Sequence, residues 1–172
     1  SRGWLAARAA DEPRLEVVES PENRGGAGGF EAGLARAALG AGDWFVLMDD
    51  DGRPQPGAIG AFRDALARGE GARWDAIATA VHYPDGRICE MNRPWVNPFW
   101  HGRAFARTLF SGGRRGAFHI ADADYEGGAA RRIDGTSFVG LFLSRRAVAA
   151  AGLPDGRLFI YGDDVIYTLG FR

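Results

Sequence analysis

"WFVLMDDDGRP", residues 44–54, is an apolar run that stops at three consecutive aspartates. The run WFVLM (44–48) is continuous, as strands buried in a parallel sheet tend to be. Successive strand residues point to opposite faces, so Asp49 and Asp51 are expected side by side with Asp50 turned away. Carboxylates packed together resist ionisation unless a cation lies between or in front of them. A divalent metal is the economical answer. Mg2+ and Mn2+ prefer hard oxygen ligands, and one or two protein carboxylates suffice when phosphate oxygens complete the shell. The location agrees, because open parallel sheets bind ligands at the C-terminal ends of their strands. The plainer alternative is a solvated acidic loop in which Asp50 or Asp51 opens a turn before Gly52.

Working outward, SRGWLAARAA at the N-terminus reads as a helix, and LEVVES (15–20) as a short strand between Pro13 and Pro21. NRGGAGG (23–29) reads as a loop. Phe30, Leu34, Ala37 and Ala38 then recur at helical spacing until Gly40 and Gly42. GAIGAFRDALARG is a second helix, WDAIATAVHY (74–83) a strand, and PDG (84–86) a turn into RICEM, which makes a hairpin. Residues 92–130, rich in Gly, Arg and aromatics, resist assignment. TSFVGLFLS (136–144) is a strand, RRAVAAAG a helix closed by Gly152, and Asp163 and Asp164 open a last helix. This alternation predicts an α/β fold with a mainly parallel central sheet flanked by helices, in a single domain over 1–172. Both ends look cut, so the expectation is an internal piece of a longer enzyme, incomplete at both ends.

With 172 residues, the chain is long enough for a real core. Its net charge of −1 makes no electrostatic case for nucleic acid. A single cysteine, Cys89, excludes an internal disulfide and a multi-thiolate zinc site, and fits a reducing compartment. No apolar run is long enough to span a bilayer.

The glycine-rich stretch lies between a strand and a helix, where backbone N–H groups can meet an anion. No Gly-Lys-Ser/Thr follows it, and the dinucleotide spacing fails at Glu31. Close packing of the backbone explains the glycines equally well. Asn23 and Arg24 are the better ligand contacts, since they have donors to offer.

The order of strand, NRGGAGGF, helix, strand and DDD, with FIYGDDVIYTLGFR later, resembles the family 2 glycosyltransferases of GT-A fold. Within that family the likeness is nearest to the galactofuranosyltransferase and rhamnosyltransferase branches. It covers roughly residues 15–66 and 134–172. The resemblance implies a nucleotide-sugar donor, UDP-galactofuranose or dTDP-rhamnose, and a glycan or lipid-linked acceptor of the cell surface. It implies a divalent metal, Mn2+ or Mg2+, with Asp51 as direct ligand and Asp49 shared between metal and diphosphate or ribose. Asn23, Arg24 and Asp50 join the nucleotide contacts. Asp164 is the implied catalytic base, with Asp163 beside it. The implied location is the cytoplasm, at the inner face of the plasma membrane, with peripheral membrane association through segments outside this chain. Two departures stand out. The family's first strand is missing from the front, and a metal-binding histidine found in some members would fall beyond residue 172, since His82, His101 and His119 are elsewhere.

The implied reaction is a direct displacement at the anomeric carbon, which inverts its configuration. A base on a separate element from the metal site then has work to do on the weakly nucleophilic hydroxyl. An ordinary helix cap explains Asp163 or Asp164 singly. Two other classes fit parts of the sequence: a sugar nucleotidyltransferase on a related fold, and a non-catalytic carbohydrate-binding module. Trp95, Phe99 and Trp100 suit either sugar stacking or loop packing. Arg114, Arg115, Arg131 and Arg132 suit acceptor phosphates or plain solvation. Asp122 and Asp124 read as a polar loop, and Cys89 as a small buried hydrophobe.

Overall fold

The computed structural model describes residues 2–126 and 129–171. Gly127 and Gly128, which end the IADADYEGG stretch, and Arg172, which ends the FIYGDDVIYTLGFR motif, lie outside the described residues. The elements run α1 (Arg2–Asp11), α2 (Gly25–Ala38), β1 (Trp44–Leu47), α3 (Ala58–Ala67), α4 (Glu70–Arg73), β2 (Ala76–Ala78), α5 (Gly102–Phe110), α6 (Ala123–Glu126), β3 (Leu141–Ser144), α7 (Arg145–Ala151) and α8 (Asp163–Thr168). Short 3-10 turns lie at Glu90–Asn92, Pro98–Trp100, Arg115–Ala117 and Gly156–Leu158.

The α/β class holds, but the strand pairing departs from the expected mainly parallel sheet. Among the described residues β3 sits between β1 and β2 and is antiparallel to both. The helical crossover through α3 and α4 does set β1 and β2 running the same way, as alternation predicts. They do not pair, because β3 enters between them late in the chain. LEVVES joins no ladder among the described residues. Its charges reach sideways instead, Glu16 to Arg36 on α2 and Glu19 to Arg2 on α1.

Register explains the burial. Phe45 and Leu47 lie opposite Leu143 and Leu141 on one face, while Val46 lies opposite Phe142 on the other. The first face packs on Leu34 of α2, Ala147 and Val148 of α7, Phe138 and Tyr167. Leu34, Leu141 and Leu143 are fully enclosed, each contributing roughly 1.5–3 kcal/mol by burial. On the second face, Phe62 of α3 stacks on Phe142 at 3.9 Å and meets Trp44 edge-on at 5.2 Å. The central strand β3 is buried throughout, whereas β1 is not. Val46 stays 44% exposed because it sits on an edge strand under partial helix cover.

Arg145 ties the layers together. Its guanidinium donates to the carbonyls of Ala38, Gly40 and Gly42, satisfying the C-terminal end of α2. At the start of α7, the Ser144 hydroxyl accepts from the Ala147 N–H at 3.0 Å. The predicted PDG hairpin is present, with His82 bridged to Ile88 and the Cys89 N–H donating to Val81.

Candidate functional site

β1 ends at Leu47, so the aspartates that follow lie on a turn and not on the strand. The Gly52 N–H donates to the Asp49 carbonyl at 3.1 Å, closing that turn over Asp50 and Asp51. A Cβ at Gly52 would lie 2.9 Å from the Met48 side chain, so the turn is packed against its own strand. Strand alternation is therefore not what relates Asp49 to Asp51. The turn nevertheless makes Asp51 felt more strongly at Asp49 than Asp50 is.

The second acidic element is prepared by an unusual backbone. Phe159 has φ 60° and ψ −65°, and the Ile160 N–H donates to the Leu158 carbonyl at 2.7 Å. This is the strained γ-turn with a positive φ at its centre. Tyr161 is also left-handed, at φ 70°. Two such residues cost of order 1–3 kcal/mol each and are found where surrounding contacts enforce them. Here the enforcing contacts come from the glycine loop. The Ala27 N–H donates to the Phe159 carbonyl at 3.1 Å, and a Cβ on Gly25 would lie 2.1 Å from that same oxygen. Gly25 thus meets close backbone packing, and NRGGAGG is helical from Gly25 onward instead of a loop.

Gly162 occupies the cap position of α8, so Asp163 and Asp164 are first-turn residues and neither is the helix cap. Asp163 is buried. Asp164 is half-buried, and its Oδ1 accepts from the Val165 N–H at 2.7 Å. Burial pushes the Asp164 carboxyl above its ordinary value, and the charge of Asp163 adds to this.

Asp49, Asp50 and Asp51 are all exposed. Partial desolvation, and then the charges of Asp51, Asp50, Asp164 and Asp163, raise the Asp49 carboxyl above its ordinary value. Among the described residues none of these five carboxylates is ion-paired to an arginine or histidine. Asp49 thus feels the charge of the other four acids with no cation paired to it among the described residues, an imbalance that a hard divalent ion would relieve. No group of three or more His, Cys, Asp or Glu side chains among the described residues forms a ready-made cage. The donor set fits Mn2+ or Mg2+ and does not suit a soft metal.

Asn23 and Arg24 are engaged locally. Asn23 Oδ1 accepts from the Gly25 N–H at 3.0 Å, and Arg24 pairs with Glu31 of α2. Gly156 lies against that pair, since a Cβ there would come 2.4 Å from Glu31 Oε2. Asp164 also borders a pocket of about 240 Å3, together with Arg93, Trp95, Arg115, Phe118 and His119. His119 Nδ1 lies 3.1 Å from the Arg93 carbonyl, so it carries the proton and leaves Nε2 as an acceptor. Burial, and then Arg115, depress the His119 pKa and keep the ring neutral. A larger cavity of about 440 Å3, along the free edge of β2, includes none of these acids.

Residues 2–118 match the family described as Glycosyl transferase family 2. The chain belongs to that family. It is 31% identical over 147 residues to a protein described as "Galactofuranosyltransferase GlfT1" from Mycolicibacterium smegmatis, covering 85% of this chain and 44% of that protein. It is 32% identical over 148 residues to the protein of the same description from Mycobacterium tuberculosis, covering 85% of this chain and 42% of that one. The chain therefore spans less than half the length of these curated relatives. No solved structure matches it.

For a family 2 chain of GT-A fold, Asp49 lies under the electrostatic influence of Asp50, Asp51, Asp163 and Asp164. Arg24 stays bound to Glu31. Three polar groups stand out in the structure but not in the sequence motifs. Arg93 fills its guanidinium with Glu90, Asp122 and the Ile120 carbonyl, and so builds a pocket wall. Asp134 has a buried carboxylate that accepts from the Asn97 N–H at 2.7 Å and from His101 Nε2 at 2.8 Å. His119 was set aside for lacking a metal position. No periodicity flags any of the three, because their partners lie on remote loops. Asp122 and Asp124 pair with Arg93 and Arg131, but Asp124 stands in the first turn of α6 and not on the expected polar loop.

Proposed function

We propose that this chain carries the donor site and base of a metal-dependent, inverting glycosyltransferase. It moves a sugar from a nucleoside-diphosphate donor to a hydroxyl of a cell-surface glycan or its lipid-linked precursor. The observation that supports this best is the position of Asp164, half-buried in the first turn of α8 and bordering a pocket with Arg93, Arg115 and His119. The charges of Asp163 and Asp164 are also felt at Asp49, which follows β1. The name of the relatives favours UDP-galactofuranose over dTDP-rhamnose as donor.

Asp51 and Asp49 would hold Mn2+ or Mg2+, which supplies a Lewis acid for the departing diphosphate. Asn23, Arg24 and Asp50 contribute nucleotide contacts, which for Arg24 means exchanging Glu31 for phosphate. The acceptor hydroxyl lies in the pocket that Asp164 borders. Its oxygen bonds to the anomeric carbon while the bond from that carbon to the diphosphate oxygen breaks. The electron pair leaves with the diphosphate, and the hydroxyl proton passes to Asp164. A single displacement inverts the centre, with roughly a 10²–10⁴-fold gain from the base. The raised affinity of Asp164 for protons suits it to that step.

Calorimetry with UDP, with and without Mn2+, tests the reading. Metal-dependent UDP binding is expected. Binding of simple sugars with no metal-dependent UDP binding would instead identify a carbohydrate-binding module.

A further inference from the structure

Residues 91–121 carry five arginines, Arg93, Arg103, Arg107, Arg114 and Arg115, and no aspartate or glutamate, in a chain whose net charge is −1. Arg93 is consumed by Glu90 and Asp122 at the borders of this stretch. The other four are exposed, and among the described residues none of them forms an ion pair. The same stretch holds a strongly amphipathic helix, α5, and α5 is turned the wrong way for a helix packed on a core. It rests on the body through Ala104, which is buried. Its large apolar residues face outward, with Leu109 64% and Phe110 87% exposed. Phe105 shares the Leu109 side of the helix at the i, i+4 spacing and meets Phe99, itself 81% exposed, at a ring separation of 6.2 Å. On the helical wheel Arg103 and Arg107 border one side of this apolar sector, next to Phe110.

An exposed apolar sector bordered by uncompensated arginines is the composition of a helix that lies in a membrane interface. A protein partner would be expected to supply matching acids at fixed positions. A bilayer supplies a diffuse negative surface and an apolar interior, which suits scattered arginines around Phe and Leu. No helix of the described residues is long and apolar enough to cross a membrane, so the contact is one of lying on the surface. We infer that α5 and the Phe99 turn form a docking face for an anionic lipid bilayer, with Phe99, Phe105, Leu109 and Phe110 entering the interface and Arg103 and Arg114 held at the headgroups. Arg115 belongs both to this basic stretch and to the wall of the pocket that Asp164 borders, so docking would bring that pocket to the membrane surface. The inference goes beyond the proposed transfer and does not depend on the donor.

The test is co-sedimentation of the full-length protein with vesicles of phosphatidylcholine alone or mixed with phosphatidylglycerol. Binding is expected only to the anionic vesicles, and it should weaken as salt rises from about 0.1 to 0.5 M. L109S/F110S should bind at least tenfold more weakly. R103E/R114E should lose at least fivefold per site, on the scale of one basic residue at an anionic surface. These residues are surface-exposed, and an unchanged melting temperature confirms that the variants are folded. Absence of vesicle binding in the unmodified protein overturns the inference, as does undiminished binding in folded L109S/F110S. Neither result touches UDP binding, so failure here is separate from failure of the proposed transferase.

Discussion

The Ala27 N–H donates to the Phe159 carbonyl over 3.1 Å, joining the glycine-rich start of α2 to the strained turn that precedes Asp163 and Asp164. The approach is possible because Gly25, at φ +66°, has no Cβ to meet that carbonyl. The loop expected to contact the nucleotide and the loop bearing the acidic pair are therefore one mechanical unit.

Gly25→Ala tests that unit. The substitution adds left-handed strain of about 1–2 kcal/mol and a contact with the Phe159 oxygen that has to be relieved by backbone movement. The variant should melt several degrees lower and lose UDP affinity. Gly26→Ala, where an added Cβ meets nothing within 4 Å, should do neither. Paired thermal melts and UDP titrations separate the two.

Asp49→Asn should raise stability while abolishing metal-dependent UDP binding. Asp49 titrates above its ordinary value of 3.8 because of partial desolvation and the charges of Asp51, Asp50, Asp164 and Asp163, although the residue as a whole is exposed. A raised folded-state value means that protonation favours folding. That contribution is complete below 3.8 and is lost as pH rises through the folded value. In metal-free buffer the variant should thus melt higher than the parent near pH 7, and the gap should close as pH falls toward 4. With Mn2+ and UDP present the order should reverse, since only the parent retains the ligand. Melting curves of both proteins across that range, with and without Mn2+, check the sign.

Asp164→Asn should lower kcat by about 10²–10⁴-fold with UDP affinity unchanged. Because burial and Asp163 raise the Asp164 carboxyl, the acidic limb of the rate profile should fall above 3.8. An equal loss of UDP affinity would place Asp164 in the donor site instead of at the base position.

Much of this architecture was legible in the sequence, and the exceptions have definite causes. WFVL, LFLS and the helix around Leu34 could be read because burial of one face imposes a period, and the DDD and DD clusters because charge without a partner is conspicuous. LEVVES has the composition of a strand, but a strand exists only with a neighbour, and here ion pairs hold it instead. Helical alternation predicts parallel pairing, but β3 arrives after a long excursion through α5, α6 and irregular segments and enters antiparallel between β1 and β2. Residues 92–130 were unreadable because bridges from Trp95 to His119 and Gly135, together with one buried arginine, organise them. Such contacts leave no periodic trace.

That arginine supports the last prediction. Arg93 Nε and one of its terminal nitrogens grip Glu90, another reaches the Ile120 carbonyl at 2.9 Å, and Asp122 completes the set. The plane lies over the Tyr125 ring at 5.4 Å. Glu90 and Asp122 are largely exposed, so water can replace the guanidinium there at little cost. The Ile120 carbonyl and the Tyr125 face are less readily resolvated. Arg93→Ala should therefore destabilise by roughly 1–3 kcal/mol, the range for stranding a buried hydrogen-bonding group. Arg93→Lys should recover only part of this, because an ammonium cannot span three acceptors in one plane or stack on Tyr125. The damage should also be local. Amide exchange should accelerate at Val96 and Ile120, whose N–H groups bond across this segment, before it does at Leu143 in the central strand. Uniform acceleration across the chain would instead make Arg93 part of the global core. A thermal melt combined with hydrogen exchange of the two variants decides between these outcomes.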